Sequence, residues 1–129
     1  MPYTYEIDVE RRVVIAAFSG DASLADADAI MAELHADPRH SFAFDRVYDC
    51  RALTRLPPVG ELRGVAELFR QRLDPGIRVR RAIVVSRGAQ YGLGRMLQAL
   101  LDLAGLEPNV FVDVDEAVTW ATASGNRRA

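Results

Sequence analysis

The sequence predicts a single-domain α/β fold, a mixed sheet flanked by four helices in the order ββαβαβαβα. Two observations carry this prediction. Near the start, two strand-like segments are separated only by the polar link Glu10-Arg11-Arg12, which closes them as an antiparallel hairpin. From Ala82 to Ala121, apolar strand-like runs alternate with amphipathic stretches, and such βα alternation implies parallel strands with right-handed crossovers. At 129 residues, 50% of them hydrophobic, the chain can bury one full core.

Tyr3, Tyr5, Ile7 and Val9 alternate with Thr4, Glu6, Asp8 and Glu10, the period of a strand with one buried and one wet face. Val13 to Phe18 forms a second, almost wholly apolar strand. Past Ser19-Gly20-Asp21, Leu24, Ala27, Met31 and Leu34 recur at helical spacing, with Ser23 and Asp26 placed to cap the helix start. Asp37-Pro38 stops that helix. The third strand is predicted at Phe42 to Cys50, a partly alternating segment rich in aromatic and β-branched residues.

Pro57-Pro58 suits the first turn of a second helix, where a missing amide hydrogen is not needed. Its predicted buried stripe is Val59, Leu62, Val65, Ala66, Phe69 and Leu73, and Asp74-Pro75-Gly76 ends it. VRRAIVVS then climbs into a fourth strand. A third helix runs from about Gln90 to Leu103, with Leu93, Met96, Leu97 and Leu100 expected inside and Gly105 as its C-terminal cap. After the short strand NVFV, Asp113 and Glu116 make a capping-box-like start to a last helix that buries Ala117, Trp120 and Ala121. The domain is expected over residues 1–123, with 124–129 (SGNRRA) as a flexible tail.

Composition excludes several functions. Sixteen Lys and Arg against eighteen Asp and Glu provide no net positive field to gather nucleic acid or anionic lipid. The single cysteine, Cys50, cannot form an internal disulfide, and the start MPYTYEIDVE carries acidic residues where a signal peptide carries positive charge. A cytoplasmic location is expected. No apolar stretch approaches the roughly 20 residues needed to cross a bilayer.

Several local signals together resemble a STAS domain, the small α/β fold of anti-sigma-factor antagonists, and most of all its SpoIIAA-like branch. FSGDASLADADAIMAEL is similar to that family's strand-Gly-Asp entry into the first helix, and VYDCRAL to its central strand with an acidic end. YGLGRMLQALLDLAG resembles its small-residue-plus-Arg helix start, and VFVDVDEAVTWA its F-x-D-x-x-E-A-x-x-W ending. The resemblance covers nearly the whole chain. It implies a non-enzymatic regulatory module whose partner is an anti-sigma-factor-like kinase.

One departure limits what the resemblance implies. Antagonists that work by partner switching carry an Asp-Ser-Ser/Thr-Gly-like stretch after the central strand, and its hydroxyl accepts phosphate. Aligning Asp49 with the acidic strand end puts that position near Pro58, inside LPPVG, where there is no hydroxyl. Gly60 alone survives from the pattern. The nearest hydroxyl, Thr54, falls in the preceding loop.

No complete catalytic set is legible. His35 and His40 bracket the end of the first helix, and their spacing through Asp37-Pro38 neither shares a face nor rounds a tight turn, so they are expected as ordinary surface residues rather than metal ligands. Cys50 sits at the end of an apolar strand without an evident histidine partner. Ser86 follows AIVV, yet SRGAQ lacks the second glycine of a nucleophile elbow. Paired carboxylates such as Asp113, Asp115 and Glu116 are accounted for by the helix dipole. Neither a metal nor a cofactor is expected.

The glycine-rich turn RGAQYGLGR admits two readings. Gly88, Gly92 and Gly94 could converge backbone amides and the flanking Arg87 and Arg95 on an anion, or they could let the helix pack closely on the sheet. Ligands in α/β sheets gather at the strands' C-terminal ends, which would bring Asp49 and Arg51 toward Ser86 and Tyr91. The candidate ligand site is therefore a crevice of Asp49, Arg51, Ser86, Arg87, Tyr91 and Arg95, taking a small anionic or lipid-like molecule. A homodimer is also expected, because the first strand lies in a hairpin that can form a sheet edge.

Overall fold

The computed structural model describes residues 2–72 and 78–123. Among them the elements run β1 (Tyr3–Asp8), β2 (Val13–Gly20), α1 (Leu24–Ala36), β3 (Asp45–Leu53), α2 (Val59–Arg72), β4 (Arg81–Val84), α3 (Ala89–Leu103), β5 (Asn109–Phe111) and α4 (Val114–Thr122). The order is the one the sequence predicts. Leu73, the Asp74-Pro75-Gly76 helix stop and the SGNRRA tail lie outside the described residues.

One five-stranded sheet has the order β1-β2-β3-β4-β5. The β1–β2 hairpin is antiparallel, with Tyr5 opposite Ala16 and Ile7 opposite Val14; the remaining pairs are parallel. Each parallel strand is added on the same side of the one before it. Right-handed crossovers in one direction place their helices on one face, so α1, α2 and α3 share a face and α4 covers the other. The cores follow this division. Tyr3, Ile7, Val14, Ala16 and Phe44 pack under Ile30 and Leu34 of α1, and Ile83 and Val85 pack with Ala66, Phe69 and Leu101 of α2 and α3. On the reverse face, Val13, Val47, Ala82 and Val84 meet Ala117, Val118 and Ala121 of α4.

Helix ends follow the expected chemistry. Ser23 and Asp26 form a capping box at α1, and the Asp113 carboxylate accepts the Glu116 amide at α4. At the end of α3, the Leu106 amide donates to the Leu101 carbonyl and the Gly105 amide to Asp102, with Gly105 at φ 82°. This 6→1 and 5→2 pair is a Schellman motif, which favours glycine at its left-handed position. Two phenols fasten β1 to α1. Tyr3 Oη donates to Glu33 at 3.0 Å and Tyr5 Oη to Asp37 at 3.0 Å.

The structure corrects several details. β3 spans Asp45–Leu53 rather than Phe42 to Cys50, because the Asp45 amide pairs with the Arg12 carbonyl only where β3 meets β2. Phe42 precedes the sheet and packs on His35 and His40, with ring centroids 4.8 and 5.1 Å away. The two histidines are accordingly half-buried rather than ordinary surface residues. Pro57 and Pro58 lie before α2, whose first turn forms as the Glu61 and Leu62 amides donate to the Pro58 carbonyl. Val59, placed on that first turn, is exposed, as are Val9 beyond the end of β1 and Met96. α3 turns Gly94 and Leu101 inward instead, with Leu97 and Leu100 partly buried. Trp120 is half-buried, between Phe111 and the Arg80 guanidinium, 4.8 Å from its ring.

Candidate functional site

Strand pairing decides how the predicted crevice residues are grouped. Asp49 stands opposite Val84 in the β3–β4 ladder, on the sheet face that α4 covers. Its carboxylate holds Arg51 through Nε at 2.9 Å, Nη2 at 2.9 Å and the backbone amide at 3.1 Å. Burial pushes the Asp49 carboxyl up, but these hydrogen bonds outweigh it and keep the group below its ordinary value. Asp49 raises the Arg51 guanidinium, with Asp113 and Asp115 adding their fields. Ser86 Oγ donates to the Arg51 carbonyl at 3.4 Å, so Asp49, Arg51 and Ser86 do come together.

Tyr91 and Arg95 form a separate pair. They lie one turn apart on α3, with Arg95 Nη1 donating to Tyr91 Oη at 3.4 Å, and both are exposed. No hydrogen bond among the described residues joins them to Asp49, Arg51 or Ser86. Arg87, before α3, is exposed. Ser86 bridges the two groups, since it meets Arg51 through its hydroxyl and Gln90 of the first α3 turn through its amide.

The three glycines of the turn divide their roles. Gly88 sits at φ 85°, ψ −138° before α3, a conformation reserved for glycine. The Ser86 amide donates to the Gln90 side-chain oxygen across that bend. Gly94 packs on the sheet, where an added Cβ would lie 3.0 Å from Val85 Cγ1 and 3.4 Å from Val110 Cγ1, whereas Gly92 faces open space.

A different concavity lies on the three-helix face. Between the sheet and α1, α2 and α3 is a cavity of about 100 Å³. Phe18, Tyr48, Cys50 and Ile83 form its floor, Leu24 and Ala27 one wall, and Leu62, Val65, Phe69 and Leu97 the others. Tyr48 stacks on Phe69 with centroids 5.0 Å apart. Burial pushes the Cys50 thiol up to about 12, so it is protonated at neutral pH and unsuited to nucleophilic work. At the rim, Glu61 accepts from Arg55 Nη1 at 2.6 Å and Nη2 at 3.2 Å, and Nη1 also reaches the Ala22 carbonyl at 3.2 Å.

The sequence reading placed these residues in helix stripes and strands but not around a common space. One signal was available: α2 carries Gly64, where a Cβ would come 2.8 Å from Leu24 Cδ2, so α1 and α2 approach through a missing side chain. Among the described residues, no cluster of three or more His, Cys, Asp or Glu could hold a metal ion. No helix among them is long and apolar enough to cross a membrane.

Comparison with solved structures identifies the fold. The crystal structure of an anti-sigma factor antagonist from Mycobacterium paratuberculosis matches with a TM-score of 0.56 at 21% sequence identity, covering 92% of this chain and 93% of that one. The chain therefore has the STAS fold, as its sequence motifs imply. No family model matches the sequence, and no curated protein does.

Proposed function

We propose that the protein is a non-enzymatic regulatory module that acts by docking a partner protein in the cytoplasm. The observation that carries this reading is the fold shared with an anti-sigma factor antagonist over 92% of the chain, an argument by structural analogy. The partner class it suggests is an anti-sigma-factor-like kinase. The docking segment is the β3–α2 connection and the first residue of α2, where Leu56 and Val59 are 55% and 43% exposed around Pro57-Pro58. Apolar side chains held out on a proline-stiffened segment lose little entropy on binding.

Control of docking differs from phosphate-operated switching, because Pro57, Pro58 and Val59 carry no hydroxyl. Incubation with an anti-sigma-type serine kinase should leave residues 57–60 unmodified. Titration calorimetry with such a kinase should show binding, and Leu56→Asp with Val59→Asp should weaken it at least tenfold. Absence of binding, or equal affinity in the double variant, would reject the proposal. Phosphate mapped to Thr54, which is exposed, would return the hydroxyl switch to this chain.

A further inference from the structure

We propose that the cavity beneath α1, α2 and α3 binds a small neutral apolar molecule, of the size of one aromatic ring or a short alkyl chain. The volume of about 100 Å³ sets the size. The space opens to solvent at one side rather than being sealed in the core, so a ligand can enter directly. Enclosed apolar cavities of roughly 150 Å³ take benzene, and an apolar ligand here would gain contacts with a lining that is mostly aliphatic and aromatic. Such a ligand would lie against Phe18, Val65, Phe69, Ile83 and Leu97.

Charge complementarity sets the chemistry. No Lys, Arg or His is among the lining residues, and the one cation at the rim, Arg55, is already held by Glu61 and the Ala22 carbonyl. Glu61 is the one carboxylate of the lining, and both its oxygens are taken by Arg55. The Ser23 hydroxyl belongs to the α1 capping box, and burial keeps the Cys50 thiol neutral. The Tyr48 phenol is the remaining polar group of the lining, and a single neutral hydroxyl does not replace the hydration an ion would lose there, whereas an apolar molecule has no charge to desolvate. The Arg55–Glu61 pair is the wet boundary of the site, with side chains 34% and 19% exposed. Pro57 borders both this cavity and the Leu56–Val59 docking segment, but benzene titration reads the cavity and kinase titration reads the segment, so either reading can fail alone.

The experiment titrates the full-length protein with benzene, and with benzoate as its charged counterpart. Binding is followed by methyl chemical shifts and by thermal unfolding. Benzene should give saturable shifts concentrated at Leu24, Leu53, Leu62, Val65 and Leu97 and raise Tm, while benzoate gives neither. Ala27→Leu, which fills the wall from α1, should weaken benzene binding at least tenfold. If that variant does not fold, the wild-type titration decides alone. Absence of saturable shifts, an equal response to benzoate, or unchanged benzene affinity in folded Ala27→Leu would overturn the proposal.

Discussion

Gly94 of α3 lies against Val85 so closely that a Cβ there would sit 3.0 Å from Val85 Cγ1 and 3.3 Å from Cγ2. Val85 is itself buried between sheet and helices, so it has little room to yield. Gly94→Val should therefore destabilise by about 1–3 kcal/mol through overpacking. Gly92→Ala, in open space on the same helix, should stabilise by about 0.5–1 kcal/mol through helix propensity. Urea unfolding of both variants separates the two. Equal effects would show that neither glycine is there for packing.

An anion at the start of α3 would have to be held by Arg87 and Arg95, because Arg51 is already engaged by the Asp49 carboxylate. Sulfate should then raise Tm equally in wild type and Arg51→Ala, and the rise should vanish in Arg95→Ala. The gain is small, since an exposed ion pair contributes about 0–1 kcal/mol. A sulfate effect that survives Arg95→Ala would remove the anion reading of this turn.

The element order was legible because each segment's local chemistry agrees with its place in the fold: the hairpin link, the Ser23 and Asp113 caps and the Gly105 stop are all local signals. Helix phase was less so. Met96 fits an apolar stripe in sequence, but small Gly94 is what fits against Val85, and close approach there rotates α3 so that Met96 is exposed. The candidate crevice was grouped by the strands' C-terminal ends; the hydrogen bond from Ser86 to Arg51 follows that grouping, while Tyr91 and Arg95 pair with each other on α3, a contact that strand order alone does not encode. The cavity depends on three helices at once and has no contiguous signature. Buried Arg46 and Arg81 were equally hidden, because adjacent register positions on β3 and β4 bring together residues far apart in sequence.

Self-association is expected through β1, which stands at the sheet edge with one ladder of backbone groups unpaired within the sheet. Thr4 and Glu6 are exposed on its outer face, and acidic Glu6 and Asp8 make the pairing salt-dependent. Light scattering at high concentration should give twice the 14.3 kDa monomer mass, and Tyr5→Pro should reduce it by removing an amide and disturbing the edge. A monomer mass at every concentration and salt would sink this expectation.

Stability should fall as pH drops from about 6.5 to about 4, and the His35–His40–Phe42 cluster supplies the reason. Burial, then Arg46 and His35, push the His40 imidazole down from 6.5 to about 4, against a smaller opposing pull from Asp37. His35 is also lowered, first by burial and then by Arg46 and Arg72. Each histidine is thus more readily protonated when unfolded. The unfolded state binds more protons in this window, so unfolding becomes easier as pH falls through it. His40 Nε2 is buried without a hydrogen-bond partner among the described residues, so a proton arriving there finds no acceptor. Asp37 acts in a lower window: hydrogen bonds from Arg39, with a further one from Tyr5, hold its carboxyl far below 3.8, so its contribution is lost only as pH falls below that value. Chemical denaturation at pH 7, 5.5 and 4.5 should show a falling midpoint in wild type and a flatter profile in His40→Phe. A wild-type midpoint that does not change between pH 7 and 4.5 would mean that the imidazoles titrate alike in both states.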